Sequence, residues 1–338
     1  MKNFYSNIIL TLVLATASLL ASAQDIHFSQ FHNTPLYRNP ALAGIVNGDV
    51  RIQAVYRTQW NAIANAYKTG SLNAEYKMPV GQSDDYLTVG GQVFYDKAGT
   101  SNLTTTHLLP ALNYHKSVSS TGNAYLSLGF MGGLVNRSFD RTKITTNSQY
   151  EGLGDGEGAA QSEYSYLDGS VGVSLNAGFG ESAENNFYLG LAYHHFNKPK
   201  SSFYGNEELQ LGAKYVLSGG VKFGVSENAY LTIEGDHSRQ GAFQETIAGM
   251  MYGMKMGPDL EFPDYTLHAG AYLRWNDAFI PTVKLDYRPF SIGFSYDVNI
   301  SKLKTSSTGR GGFELSLSYV GFTQRDNSSM NAVRCPRY

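Results

Sequence analysis

The chain has 338 residues, of which only 16% are charged, with a formal net charge of −2. Soluble domains average about 25% charged residues, and nothing basic here invites nucleic acid. Plentiful aromatic and β-branched residues exclude a disordered tail, and the lack of long apolar runs past residue 23 excludes a polytopic helical membrane protein.

The chain opens on a targeting segment, residues 1–23. Lys2 supplies a short positive region, Ile8 to Leu20 an apolar one, and Ala21-Ser22-Ala23 a small-residue cleavage site, so the expected mature chain starts at Gln24. The apolar run is shorter than the ~20 residues a spanning helix needs. No Cys follows it to take a lipid. The only Cys, Cys335, has no internal disulfide partner and reads as a free thiol or an intermolecular bridge.

Residues 24–47 form an extension with Pro35, Pro40 and Gly44. Its aromatics Phe28, Phe31 and Tyr37 need burial somewhere. Two readings stay open: a loose periplasmic lead-in, or a plug folded into a lumen.

From residue 48 to 322 the pattern is period-two alternation. Leu126, Leu128 and Phe130 oppose Tyr125, Ser127 and Gly129. Leu167, Val171, Val173 and Leu175 oppose Asp168, Ser170, Ser174 and Asn176. Val283, Leu285 and Tyr287 oppose Thr282, Lys284, Asp286 and Arg288. Phe290, Ile292, Phe294, Tyr296 and Val298 share one face, as do Phe313, Leu315, Leu317 and Tyr319. A soluble sandwich and a transmembrane barrel share such alternation. The length, the low charge and strands of ~10 residues or more, where globular strands average ~5–6, favour the barrel. The spacing predicts about fourteen antiparallel strands: 48–58, 66–79, 86–96, 102–116, 123–137, 163–178, 186–196, 209–223, 228–236, 241–254, 264–274, 278–287, 289–299 and 311–322. Connections after even strands are mostly tight, whereas those after odd strands include the long ones, 138–162, 197–208 and 300–310. Outer-membrane barrels have short periplasmic turns and longer external loops, so both termini are expected in the periplasm. Residues 323–338 form a polar periplasmic tail in which Arg334, Arg337 and Tyr338 are available to a partner.

Reaction chemistry is sparse. His194-His195 would face opposite sides of a strand, one into the lumen and one outward, and cannot share a metal. There is no nucleophile elbow, zinc helix motif or Cys pair. The glycine-rich run 152–158 lacks the spaced oxygen ligands of a calcium loop. Lumenal charges such as Arg51, Lys284, Asp286 and Arg288 read as cross-strand ion pairs, with a solute-selective pore as the functional alternative. No catalytic, cofactor or metal residues are expected.

The run from His27 to Gly44 (HFSQFHNTPLYRNPALAG), together with Tyr56-Arg57-Thr58-Gln59-Trp60, Asp96-Lys97-Ala98-Gly99, Gly309-Arg310-Gly311-Gly312-Phe313-Glu314 and the closing Arg334-Cys335-Pro336-Arg337-Tyr338, resembles the PorP/SprF family of type IX secretion system membrane proteins of Bacteroidetes. The resemblance implies an all-β outer-membrane barrel that works with the secretion and gliding machinery in the export or surface anchoring of a particular cargo such as a large adhesin. It brings no catalytic residues. The implied partners are that cargo, machinery components and outer-membrane lipid, with Phe28, Phe31, Tyr37, Arg334, Arg337 and Tyr338 as candidate contacts. A passive or fatty-acid-type transport channel is the alternative, and a surface lipid hydrolase the third.

Overall fold

Alternating side chains in long strands leave one face for lipid and one for a lumen, and the sheet that results closes on itself. In the computed structural model the described residues are 26–59, 67–81, 84–119, 123–145, 147–152, 161–180, 182, 184–205, 209–260, 263–301 and 310–323. They form one closed antiparallel barrel of 14 strands, each paired with its chain neighbours, with the first on the last. The strands are β1 (Val50–Gln59), β2 (Tyr67–Val80), β3 (Asp85–Ala98), β4 (Leu103–Ser117), β5 (Ala124–Ser138), β6 (Glu163–Gly178), β7 (Asn186–His194), β8 (Lys214–Ser226), β9 (Ala229–Gln240), β10 (Phe243–Met256), β11 (Tyr265–Arg274), β12 (Ala278–Tyr287), β13 (Phe290–Asn299) and β14 (Arg310–Gly321). The barrel closes where β1 and β14 run in register from Val50 opposite Gly321 to Gln59 opposite Gly312. No helix among the described residues is long and apolar enough to cross a membrane.

The burial pattern is inverted relative to a soluble sandwich. Leu72, Leu112, Leu128, Val173, Leu191, Leu217 and Val283 point outward and are exposed. Thr69, Ser71, Asn73, Glu75 and Lys77, alternating along β2, point inward and are buried. Aromatic residues collect at both rims: Tyr265 stacks on Tyr287 and Phe290 packs on Tyr319 at one end, and Tyr193 stacks on Tyr215 at the other. An apolar band edged by aromatic girdles is the surface that a bilayer requires.

Two prolines sit inside strands. Pro110 keeps its place opposite Gly91 on β3, but the β4–β5 register is interrupted between Leu108 and Ala111. Pro281 likewise keeps Ala271 on β11 while the β12–β13 register is interrupted between Phe279 and Thr282. A residue without N–H gives up the ladder on one side.

The predicted spans agree with the strands to within about four residues except at the start of β8; β9, for one, runs on to Gln240 rather than 236. β7 ends at His194 because His195 adopts a left-handed φ of 57° and turns the chain. β8 begins at Lys214, not 209, because Lys200 bridges Gln210 and residues 211–213 remain outside the sheet. The length asymmetry of the connections rests on 139–162, 195–213 and 300–309. Other odd connections, 241–242 and 275–277, are as short as the turns at the opposite end, where 257–264 is longer than either. The end carrying the long connections is the loop end. The opposite end, where β1 starts and β14 stops, is the terminal end. There Thr323 donates from its N–H and its hydroxyl to Asp49 Oδ2 at 2.8 and 2.6 Å.

Candidate functional site

The lumen is occupied by the chain's own residues 28–46, nearly all of them buried. This segment contains a 3-10 turn (Phe31–Asn33), a single helical turn (Pro35–Arg38) and a second 3-10 turn (Pro40–Leu42). Prolines at the start of both later turns, and Asn39 accepting from the Ala41 N–H at 2.8 Å, fix its course. It begins at the loop end, where the His27 imidazole lies 3.3 Å from Glu245 and 3.4 Å from Gln59. It leaves at the terminal end to become β1. Too short and irregular to satisfy its own backbone, it takes partners from the inward-facing side chains of the wall.

Nearest the loop end, Glu314 of β14 accepts the N–H groups of Ser29 and Gln30 at 2.8 and 2.7 Å. Arg57, directly opposite Glu314 in the β1–β14 register, donates to it at 3.0 Å and to Asp297 of β13 at 2.6 Å. Arg274 of β11 donates to the same Asp297 oxygen at 3.1 Å and to Asp277 at 2.9 Å. The Ser29 hydroxyl is inserted into this cluster. It donates to Asp297 at 2.5 Å and accepts from Arg274 at 2.7 Å and from Arg57. Arg57, Arg274, Asp297 and Glu314 are all almost wholly buried. Charges so buried persist only when paired and hydrogen-bonded, and removing one partner from such a group typically costs about 3–5 kcal/mol.

Midway, Arg38 reaches β9 and donates two parallel bonds of 2.6 Å to the two oxygens of Asp236, and a third of 2.6 Å to Tyr188. Its guanidinium lies 4.7 Å from the Phe31 ring centre. His32 sits 3.2 Å from Glu234, which also accepts from the Tyr272 hydroxyl at 2.7 Å. The Asn33 amide donates to Ser316 at 2.9 Å.

Toward the terminal end the wall grips bare backbone. Asn113 donates to the carbonyls of Ala41 and Ala43 at 2.9 and 2.8 Å, and Ser174 to Ala41 at 2.9 Å. Lys77 donates to the Val46 carbonyl at 2.7 Å. Arg51 pairs with Glu75 directly opposite on β2 at 2.7 Å and donates to the Leu42 and Ile45 carbonyls at 3.2 Å, while Glu75 accepts the Gly44 N–H at 2.8 Å. Gly44 has a φ of 75°, and Thr88 and His115 occupy the space a Cβ would need, so only glycine fits. Apolar side chains seat in wall pockets. Phe28 packs edge-on against Phe94, Phe31 edge-on against Tyr272, and Leu36 and Ala43 lie among Leu109, Ala111, Met131 and Val135.

Two spaces remain. At the loop end a vestibule of about 470 Å³ lies over Ile26, His27 and Tyr37, walled by residues of β1 to β9. At the terminal end a recess of about 450 Å³ is bounded by Ile45, Arg51, Lys284 and Phe322, among others.

Of the sequence-predicted candidates, Phe28 and Phe31 are buried against the chain's own wall, and Tyr37 stacks on Phe94 at 5.8 Å and also borders the vestibule. Arg334, Arg337 and Tyr338, with Cys335, the cleavage site at Ala23 and most of the run 152–158, lie outside the described residues. So do the chain ends whose sidedness was expected. Within the described residues, Ile26 and Thr323 lie at opposite ends of the barrel.

The expectation that His194 and His195 face opposite sides is corrected. The left-handed turn at His195 brings both rings to the lumen side. There His194 bonds Ser170 at 2.9 Å and the Arg38 carbonyl at 3.0 Å, and His195 bonds Asp168 at 2.8 Å. Arg51 is in a cross-strand ion pair as expected. Lys284 instead pairs along its own strand with Asp286 at 3.1 Å, and Asp286 bonds His268 across the sheet at 2.8 Å. Arg38, Arg274, Asp236 and Asp297 were not singled out from sequence. Their signal was a charge at an inward position of an alternating strand or, for Arg38, in a segment of buried aromatics.

A family model described as "Type IX secretion system membrane protein PorP/SprF" matches residues 20–319. No curated protein matches the chain. Among solved structures, the Ralstonia pickettii toluene transporter TbuX aligns with 10% identity and a TM-score of 0.51, covering 86% of this chain and 94% of its own. The Pseudomonas putida toluene transporter TodX aligns with 10% identity and a TM-score of 0.50, covering 85% and 93%. At such identity the likeness is one of fold, an outer-membrane barrel.

Proposed function

Since the chain belongs to the PorP/SprF family of type IX secretion system membrane proteins, we propose that it is a docking barrel needed for the export or surface anchoring of one secreted cargo, such as a large adhesin. The observation that carries this reading is the occupied lumen: residues 28–46 run through it and engage charged groups on both sides of the barrel closure, Glu314 and Arg57, and Asp236 midway round the wall. A barrel of this strand number is narrow even when empty, since diameter grows roughly linearly with strand number. Its own pore is therefore a poor route for a folded adhesin, and a larger translocon beside it would carry the cargo. In this reading the protein binds and assembles and is not an enzyme. The terminal end faces the periplasm, where the tail 323–338, with Arg334, Arg337 and Tyr338, meets machinery components. The loop end faces outward to the cargo, and the signal segment is removed after Ala23.

Deleting the protein is expected to abolish secretion or surface display of one cargo and spare other type IX cargo, as read by comparative proteomics of medium and cell surface. A general secretion block would assign it a core machinery role. Unchanged secretion with lost solute uptake would support the passive or fatty-acid-type channel. A tag inserted near Gly156 is expected to label on intact cells, and a tag after Tyr338 only after permeabilisation. The reverse pattern would overturn the orientation.

A further inference from the structure

The wall of this barrel is already a polypeptide-recognising surface. It meets irregular backbone with side-chain amides, hydroxyls and carboxylates, as Asn113, Ser174 and Glu314 do, and it seats single apolar side chains in pockets, as it does Leu36. The loop-end vestibule continues the same lumen with the same kinds of group. The patch that receives Leu36 does not end at Leu36: Leu109 and Met131 also line the vestibule, and Tyr166, packed on the edge of that cluster, borders it as well. Beside the patch, Gln92 of β3 is 1% exposed. Its amide nitrogen donates to Ser71 at 3.2 Å, while its carbonyl oxygen is buried without a hydrogen-bond partner. Buried carbonyls are rarely left so, and the Gln92 side chain that carries this one borders the vestibule. The vestibule carboxylates are differently placed: Asp96 accepts from Thr69 at 2.6 Å and Asp168 is bonded by His195 at 2.8 Å. The space thus offers an apolar seat beside a neutral acceptor that lacks a donor, which is what a backbone N–H next to an apolar side chain supplies. An acyl chain would fill the seat and leave Gln92 unpaired.

We propose that the loop-end vestibule is a receptor site for a short extended polypeptide segment of a partner protein, seated by one aromatic or aliphatic side chain on Leu109, Met131 and Tyr166, with its backbone donating to Gln92. The partner as secreted cargo rests on the docking reading above; the site itself does not.

The test is selection from a phage-displayed library of random nonapeptides against the full-length protein in lipid nanodiscs. The expected result is convergence on sequences with a single aromatic or aliphatic anchor, whose binding weakens at least tenfold in Tyr166→Ala and in Gln92→Leu. Heat-modifiable migration on a denaturing gel shows that each variant is folded, and Tyr166→Ala alone decides if Gln92→Leu is not. No convergence, or binding indifferent to the folded variants, overturns the proposal. So does saturable binding of a lipopolysaccharide-derived oligosaccharide or of laurate at this site in place of peptide. The two readings fail separately. If deletion removes cargo display while folded vestibule variants display it normally, the vestibule site falls and the docking role stands. If peptides bind as expected while deletion leaves all secretion intact, the docking role falls and the site stands.

Discussion

The two faces of the same strands obey different rules. Outside, Leu128 lies beside Val173 in the β5–β6 register, and Val283 beside Phe294 in the β12–β13 register. Each meets apolar neighbours and lipid, and any apolar side chain of similar size would serve. Inside, many positions have a specific partner: Arg57 has Asp297 and Glu314, Arg38 has Asp236, Asn113 has two backbone carbonyls. The outer face is specified by composition, the inner face by pairing. Substitutions of equal chemical size are therefore expected to have very unequal effects on the two faces.

The largest effect is expected at the cluster around Ser29. Arg57→Ala leaves two buried carboxylates short of a partner and is expected to destabilise the barrel by about 3–5 kcal/mol. Ile52→Met, outward on the same strand, is expected to change stability by less than about 1.5 kcal/mol. Urea unfolding in detergent, read by heat-modifiable migration, makes the comparison, and equal midpoints would erase the distinction. Next comes the segment itself. Phe31→Ala empties the pocket against Tyr272 and is expected to cost about 3 kcal/mol by the same assay. A midpoint like that of the wild type would mean that the segment does not pack into the wall. Third, the outer face has its own limit. Val283→Arg, halfway along β12, is expected to cost about 2–3 kcal/mol in a bilayer, whereas Val283→Leu is expected to be near neutral. Equal tolerance of both would deny that β12 faces lipid.

The smallest effect lies outside the membrane. Burial disfavours the charged form of Glu184, in the connection between β6 and β7, but the ammonium groups of Lys222 and Lys255 outweigh it and hold its carboxyl down at about 2. A carboxyl depressed in the folded state stabilises fully above its ordinary value of 4.5, and loses that contribution as the pH falls through about 2. Glu184→Gln is expected to lower stability by up to about 1 kcal/mol at pH 7. The gap between variant and wild type should begin to narrow below about pH 4.5 and close only below about pH 2. A gap independent of pH would detach Glu184 from the two lysines.

The same division explains what could be read from the sequence. Leu126, Leu128 and Phe130 announce an outward face because every second residue is apolar, and tight turns punctuate the strands, so the closed barrel and most strand ends were legible. Burial of Phe28, Phe31 and Tyr37 was also legible as a need, though not the place that meets it. The pairings were not. Arg38 and Asp236 are 198 positions apart, and Ser29 and Asp297 are 268 apart. In a closed barrel every inward residue faces one lumen, so alternation reveals which residues are inside without revealing which of them meet. His195 was misplaced for a local reason. A strand pattern carries no mark of the single left-handed residue that ends it, and that residue reversed the side on which the ring lies.

Residues 28–46 hold the lumen shut. The direct measurement is ion conductance of the purified protein in planar lipid bilayers. The filled lumen predicts no steady conductance steps above the bare bilayer for the wild type. Persistent, uniform steps of the size given by open outer-membrane pores would contradict it and return the barrel to the channels.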